Sequence, residues 1–272
     1  MAIIIMTLMT VKLKQDLCNR KVIKIISGLS NFNLASIIKT IKAAEISGAT
    51  YIDVASNPKL VKVLKSVTNL PICVSSIEPQ DLYNCLLAGA DILEIGNYDV
   101  FYDKGIQFST FQIIQLVNEI KSFSKDKFLC VTIPHTLLLQ DKVYLAQVLF
   151  KEGVNMVQTE GSIAKGRFIS DSKSLILQTA NFSSSALSTA YAISKYTNMP
   201  VIASSGMNSV SAPIAISYGA SGVGVCSSLL KYNSVIQKVN YINQIISSLS
   251  LSTAQQKFYN MQTLIRTDLS NA

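Results

Sequence analysis

The chain has a single histidine, His135, three arginines (Arg20, Arg167 and Arg266), and five cysteines with no C-x-x-C pair among them. No second His or Cys stands at ligand spacing from His135, so no metal site is expected. Scattered cysteines argue against a disulfide scaffold and for a reducing compartment, with Cys73, Cys85 and Cys130 as small buried hydrophobes. Charged residues make up only 15% of the chain. The lysines are spread over helical faces and form no basic run, so no nucleic-acid partner is expected. No apolar run approaches the roughly 18 residues of a membrane span, so no membrane partner is expected either. The apolar start, Met1–Met6, has no basic region before it and no small-residue cleavage signature, which speaks against a secretory signal. No Pro/Ser/Gly-rich linker divides the sequence. A soluble single-domain protein is expected.

Apolar residues, by contrast, are plentiful, at 49% of 272 residues. Strands buried on both faces, covered by helices that each bury one stripe, account for such richness. The net charge of +8 is carried almost wholly by lysine. Together with abundant Ile, Asn and Ser, this reads as the codon bias of an AT-rich genome, and the function it would otherwise serve is attraction of anions.

One punctuation mark recurs. Gly48-Ala49, Gly89-Ala90, Gly153-Val154 and Gly219-Ala220 each follow a helical pattern and precede an apolar run, the place of a left-handed helix cap before a strand. Leu70-Pro71 and Met199-Pro200 enter two further runs through proline, which suits a strand's first residue. Helical stripes recur at Leu34/Ile37/Ile38/Ile41, Leu60/Val63/Leu64/Val67, Leu82/Cys85/Leu86/Gly89, Ile113/Leu116/Val117/Ile120 and Ala212/Ala215/Ile216/Gly219. Between them lie the strand candidates Val22–Gly28, Tyr51–Ala55, Ile72–Ile77, Ile92–Gly96, Phe128–Ile133, Met156–Glu160, Val201–Ser205 and Gly222–Cys226. Eight such alternations predict an α/β chain folded as a (β/α)8 barrel, with an open doubly wound sheet as the runner-up. The barrel is expected over residues 21–250. Residues 1–20 form an extension that closes its N-terminal end, and 251–272 an added helix with Phe258, Met261 and Ile265 at helical spacing. The longest connection, Gly161–Lys173, is basic and polar and reads as a binding loop or lid.

In such barrels the site lies at the C-terminal ends of the strands, and phosphate commonly binds the loops after strands seven and eight. Ser205-Gly206-Met207-Asn208 offers a glycine where backbone N–H groups can approach a phosphate. Cys226-Ser227-Ser228 opens a short helix whose N-terminus favours an anion. A phosphate-binding-type barrel with a small phosphorylated ligand is therefore expected. Lys24 interrupts the apolar run of strand one, and Asp53 and Glu94 are each flanked by apolar residues, so alternation sends all three into the lumen. They read either as a mutually neutralised core cluster or as catalytic groups. Lys24 would then be an imine-forming nucleophile, a base of lowered pKa or an anchor, and the two carboxylates acids or bases. His135 and Glu160 end strands five and six, the right place for proton transfer. Lys165 and Arg167 on the long loop are candidates to clamp an anion, and Glu78 to begin a helix as a near-cap acid.

Several stretches resemble a known barrel family: VIKIISGLSNFN (Val22–Asn33), IDVASNP (Ile52–Pro58), PICVSSIEP (Pro71–Pro79), GADILEIGNYD (Gly89–Asp99), VTIPHTL (Val131–Leu137), VQTEG (Val157–Gly161) and Ala203–Val225. It is the conserved hypothetical chloroplast reading frame twenty-three of algal plastids and cyanobacteria, and the similarity runs from Lys21 to Lys231. The resemblance implies a phosphate-binding-type barrel encoded in a plastid genome and residing in the stroma; it implies no particular reaction and no particular cofactor. Lys24, Asp53, Glu78, Glu94, Asn97, His135, Glu160 and Gly206 match its pattern. Cys226 departs from the glycine usual at its position. Three functions are compatible with these residues: an enzyme acting on a small phosphorylated metabolite, a flavin mononucleotide enzyme, or a non-catalytic binding or regulatory barrel.

Overall fold

The computed structural model describes residues 2–124, 127–161 and 175–249. Most of the long loop after the sixth strand, with Lys165 and Arg167, lies outside the described residues, as does the stretch 251–272. Eight parallel strands close into one barrel in chain order: β1 (Val22–Ile26), β2 (Tyr51–Ala55), β3 (Ile72–Ser76), β4 (Ile92–Ile95), β5 (Phe128–Ile133), β6 (Met156–Thr159), β7 (Val201–Ser204) and β8 (Gly222–Val225). β8 pairs with β1 in register Val22↔Gly222 and Lys24↔Gly224, so the sheet has no edge and the open-sheet alternative is set aside. The molecule is a (β/α)8 barrel, and every strand falls where sequence alternation places it, shorter by one or two residues at several C-terminal ends.

Helices follow each strand: α2 (Leu34–Ile46), α3 (Pro58–Leu64), α4 (Pro79–Leu87), α5 and α6 (Asp99–Tyr102 and Thr110–Phe123), α7 (Leu139–Lys151), α8 (Leu175–Tyr196), α9 (Ser211–Ser217), α10 (Ser227–Leu230) and α11 (235–249). Local chemistry starts several of them. Asn33 and Asn57 accept hydrogen bonds from Ser36 and Leu60 N–H, and Ser109 with Gln112 forms a capping box. Glu78 sits at the start of α4 but makes no side-chain cap bond. Gly48, Gly89, Gly153 and Gly219 all take positive φ, so the four marks read from the sequence are one device, ending α2, α4, α7 and α9 and turning the chain into the next strand.

Outward-facing strand residues such as Ile25, Val54, Val74, Leu93, Val131 and Val223 bury themselves against the helix stripes. Each fully buried aliphatic side chain contributes about 1.5–3 kcal/mol over its exposed state. A second, smaller cluster fills the lumen's lower half: Val22, Tyr51, Cys73, Ile92, Phe128, Cys130, Met156 and Ile202. Leu13 and Leu17 of α1 (Ala2–Cys18) belong to the same cluster, so α1 closes this end of the barrel as a plug. With the bottom stoppered by apolar side chains, polar groups gather in the upper half of the lumen and at the strand ends.

Candidate active site at the strand C-terminal ends

The alternation that points Ile25 outward turns Lys24 into the lumen, where it is wholly buried. Its Nζ lies 2.7 Å from Asp53 Oδ2 and 2.6 Å from Glu94 Oε2, and donates to Gln158 Oε1 at 2.7 Å. Ser75 Oγ donates to Asp53 at 3.0 Å, Thr132 Oγ1 to Glu94 Oε1 at 2.9 Å, and Gln158 Nε2 to Glu94 Oε1 at 2.8 Å. One ammonium is thus enclosed by two carboxylates and an amide oxygen from β1, β2, β4 and β6. Burial pulls the Lys24 pKa down, but the two carboxylate charges overcome it and hold the amine well above its ordinary value. Burial raises Asp53 to about 6 against the opposing pull of Lys24, and the nearby Glu94 charge adds to the rise. Asp53, Cys73 and Glu94 also bring their ligand atoms close together, but the Lys24 ammonium already occupies the cation position between the two carboxylates. Burial likewise pushes the Cys73 and Cys130 thiols up, which keeps them protonated and inert.

Above this cluster the strand ends enclose a cavity of about 690 Å³. Its floor is neutral and polar: Thr132, Gln158 and Ser204. Lys24, Asp53 and Glu94 do not line it; they lie beneath that floor at 0–1% exposure. One wall carries Gly28 to Asn31 from the β1–α2 loop, another Asn97 and Asp99 after β4, a third Glu160 and Gly161 after β6, and the last Ser205, Gly206, Cys226 and Ser227.

Glu160 is held through one of its two oxygens. Its Oε2 accepts from Tyr102 Oη at 2.7 Å and from His135 N–H at 2.9 Å, and lies 3.0 Å from His135 Nδ1. Tyr102 packs edge-on against the His135 ring with centroids 4.6 Å apart. Burial and the Glu160 charge drive the Tyr102 phenol far upward, so it stays protonated and a donor. Sequence alternation placed His135 and Glu160 at neighbouring strand ends; Tyr102, on a short helix between β4 and α6, carried no signal. Gln158, Thr132, Ser75 and Ser204 escaped notice too, although the inward alternation that marks Lys24 selects all four.

The loops after β7 and β8 correct part of the expected phosphate set. Ser205, Gly206, Cys226 and Ser227 line the cavity, but Met207 turns into the layer between barrel and helices. The Asn208 side chain accepts from Val210 and Ser211 N–H and donates to Thr179, so it organises the start of α9, and it does not line the cavity. Ser228 lies off the cavity, against Tyr241. Gly206 has a different duty from the one expected. A Cβ there would come within 2.7–2.9 Å of the Phe182 backbone and side chain, so the glycine lets α8 pack against the loop. Gly161 similarly makes room for the Ser205 side chain. Burial raises the Cys226 thiol to about 11, despite a hydrogen bond with the Gly28 backbone.

A closed parallel barrel with a cavity framed by its βα loops defines a (β/α)8-barrel protein. The chain belongs to the family described as a protein of unknown function, DUF561, which it matches over residues 9–255. It is 48% identical over 253 residues to the uncharacterized protein ycf23 of Antithamnion sp., with 90% of each chain covered. To the ycf23 protein of Cyanophora paradoxa it is 38% identical over 245 residues, covering 89% of this chain and 98% of the relative. The relatives' name is that of a reading frame of algal plastid genomes, in keeping with plastid encoding. Among solved structures it resembles the thiamine phosphate pyrophosphorylase from Pyrococcus furiosus, with a TM-score of 0.56, 15% identity, and 88% and 98% of the two chains covered. It also resembles 3-hexulose-6-phosphate synthase from Salmonella typhimurium, with a TM-score of 0.58, 12% identity, and 85% and 99% covered. These likenesses show the barrel fold. No helix among the described residues is long and apolar enough to cross a membrane.

Proposed function

We propose that this protein is an enzyme of the plastid stroma that binds a small phosphorylated metabolite in the cavity at the strand ends and moves a proton on it. The observation that carries this reading is the Glu160 carboxylate, which lines the cavity with one oxygen fixed by Tyr102 and His135. A carboxylate oriented by three contacts at one oxygen, the other having no hydrogen bond from the described residues, is prepared to take or return a proton without reorganising. His135 orients it and, through its ring, can relay the proton. The backbone N–H groups and hydroxyls of Ser205–Gly206 and Cys226–Ser227 would hold the phosphate. Two barrels of similar fold, the thiamine phosphate and hexulose phosphate proteins, carry phosphorylated compounds in their names, which supports the substrate class.

Lys24, Asp53 and Glu94 act here as positioning residues. Imine formation needs a neutral amine in contact with substrate, whereas Lys24 is charged, fully bonded and beneath the floor. Its bond to Gln158 Oε1 sets the orientation of that amide, and the amide with Glu94 fixes Thr132. The cluster therefore shapes the surface on which the substrate rests.

Native mass spectrometry of freshly purified protein should show a phosphorylated small molecule bound, from a colourless preparation. Turnover of that molecule at saturating concentration should fall about 10²- to 10⁴-fold in Glu160→Gln. A yellow preparation containing flavin mononucleotide would transfer the phosphate loops to that cofactor. Full binding with no turnover of the co-purified molecule in any variant would make the barrel a binding protein.

A further inference from the structure

We infer that Asn97 reads a hydroxyl at the end of the ligand remote from its phosphate, so that the ligand is a phosphorylated polyol or sugar. This rests on the preceding assignment of the cavity to a phosphorylated metabolite and goes on to specify the metabolite's other end. Among the described residues three non-glycines take positive φ: Arg20 (56°), Asn97 (72°) and Ser205 (79°). Two of them, Asn97 and Ser205, line this cavity. A side chain in the left-handed region carries a conformational cost that glycine avoids, and the cost persists only where the surroundings over-determine the backbone. Around Asn97 they do. On one side Gly96 lies so close to β5 that a Cβ would come within 2.8 Å of Thr132 Oγ1. On the other, wholly buried Tyr98 donates its hydroxyl to the Thr132 carbonyl at 3.0 Å. Asn97 is therefore pinned between two attachments to one residue of β5, in a conformation that glycine would adopt at lower cost. What glycine would lack is the side-chain amide.

That amide is free for a ligand. It makes no hydrogen bond with the described residues. Asn31, on another wall, is by contrast occupied, donating to the Ser27 carbonyl and accepting from Asn33 N–H. Ser204, 8% exposed on the cavity floor, bonds through its backbone to Thr159, while its hydroxyl has no partner among the described residues. An amide and a hydroxyl both give and accept hydrogen bonds, and a ligand hydroxyl answers both needs with a single atom. The topology sets where each end of the ligand lies. β4 and β8 stand four strands apart in a closed ring of eight, so the Asn97 wall faces the Cys226–Ser227 wall across the mouth of the barrel. A ligand with its phosphate at Ser205–Gly206 and Cys226–Ser227 thus crosses the neutral floor of Ser204, Gln158 and Thr132 and ends against Asn97.

Calorimetric titration with D-ribitol 5-phosphate and with its 1,2-dideoxy analogue compares two esters of equal charge and chain length. They differ in the two hydroxyls farthest from the phosphate. The full polyol should bind about tenfold more tightly. Asn97→Gly suits a φ of 72° at least as well, so its melting temperature should be unchanged or higher. In that variant the two affinities should come together, by weakening of the full polyol alone. Equal affinity of the two esters in the wild-type protein overturns the inference and leaves the phosphate assignment standing, as does a preference that survives Asn97→Gly. It is overturned equally if Asn97→Gly weakens both esters alike and lowers the melting temperature, because Asn97 would then serve the fold alone. Failure of both esters to bind removes the phosphate assignment itself, and this inference with it.

Discussion

Lys24 is the residue on which the upper lumen depends, because it is the one cation among Asp53, Glu94 and Gln158. Replacing it with Met leaves two buried carboxylates without a counter-ion, and unfolding in urea should show a loss of roughly 3–5 kcal/mol. The double variant Lys24→Met/Asp53→Asn should lose less than the sum of the two single variants, since the charges share one network. Strict additivity would show them to be independent. The same cluster sets a pH signature. Asp53 has a folded pKa near 6, above its unfolded value of 3.8, so the folded state holds more protons between those two pH values. Its contribution to stability is greatest below pH 4 and is lost as pH rises through 6. Lys24, raised in the folded state, contributes below its unfolded pKa of 10.5 and loses that contribution only in strong alkali. Between pH 4 and 7 the melting temperature of the wild type should therefore fall relative to that of Asp53→Asn, which lacks the titrating carboxyl, and parallel pH profiles of the two proteins would show that Asp53 titrates elsewhere.

Among the elements, α1 and the β7–α9 loop have tasks set by packing. Leu13 and Leu17 of α1 are buried at 2% and 4% exposure against the lumen's apolar lower half. Leu17→Ala should open a cavity there and cost about 2–5 kcal/mol in denaturant unfolding, far more than substitution of an exposed residue such as Val11. The loop is constrained by α8 instead. Gly206→Ala puts a methyl within 2.7 Å of the Phe182 backbone at a φ of 69°, so loop or helix must move. A destabilisation of roughly 1–3 kcal/mol should follow. Weaker binding of the co-purified ligand should accompany it, because Ser205 moves with the loop. A stability loss with unchanged ligand affinity would separate the loop from the site.

At the scale of the molecule, the lumen network joins the first half of the barrel to the second: Lys24 bonds across to Gln158, and Glu94 accepts from Thr132 and Gln158, while Ser75 and Asp53 complete the network on the first side. All three charges come from the first half, and the neutral Thr132 and Gln158 of the second complete their hydrogen bonds. Equilibrium unfolding should therefore be a single transition, with tyrosine fluorescence, from wholly buried Tyr51 and Tyr98, coincident with far-ultraviolet circular dichroism. Two separated transitions would show that the halves are stable without the shared network.

Much of this was legible in the chain. Helical stripes, period-two alternation and the four glycine caps set the number, order and type of the elements, because each depends on neighbours within a few residues. Alternation also told which way Lys24, Asp53 and Glu94 face, and strand ends marked His135 and Glu160. What it could not tell was height within the lumen and the traffic of hydrogen bonds. Closure of β8 on β1 and the barrel's shear fix which inward residue sits above which, and they placed Gln158 and Thr132 between the charged cluster and the cavity. Packing of α8 against the β7–α9 loop turned Met207 and Asn208 away from it. Tyr102 reaches Glu160 only because a short helix folds over the end of β4. Those outcomes come from contacts between residues far apart in sequence, whose geometry exists only once the barrel has closed.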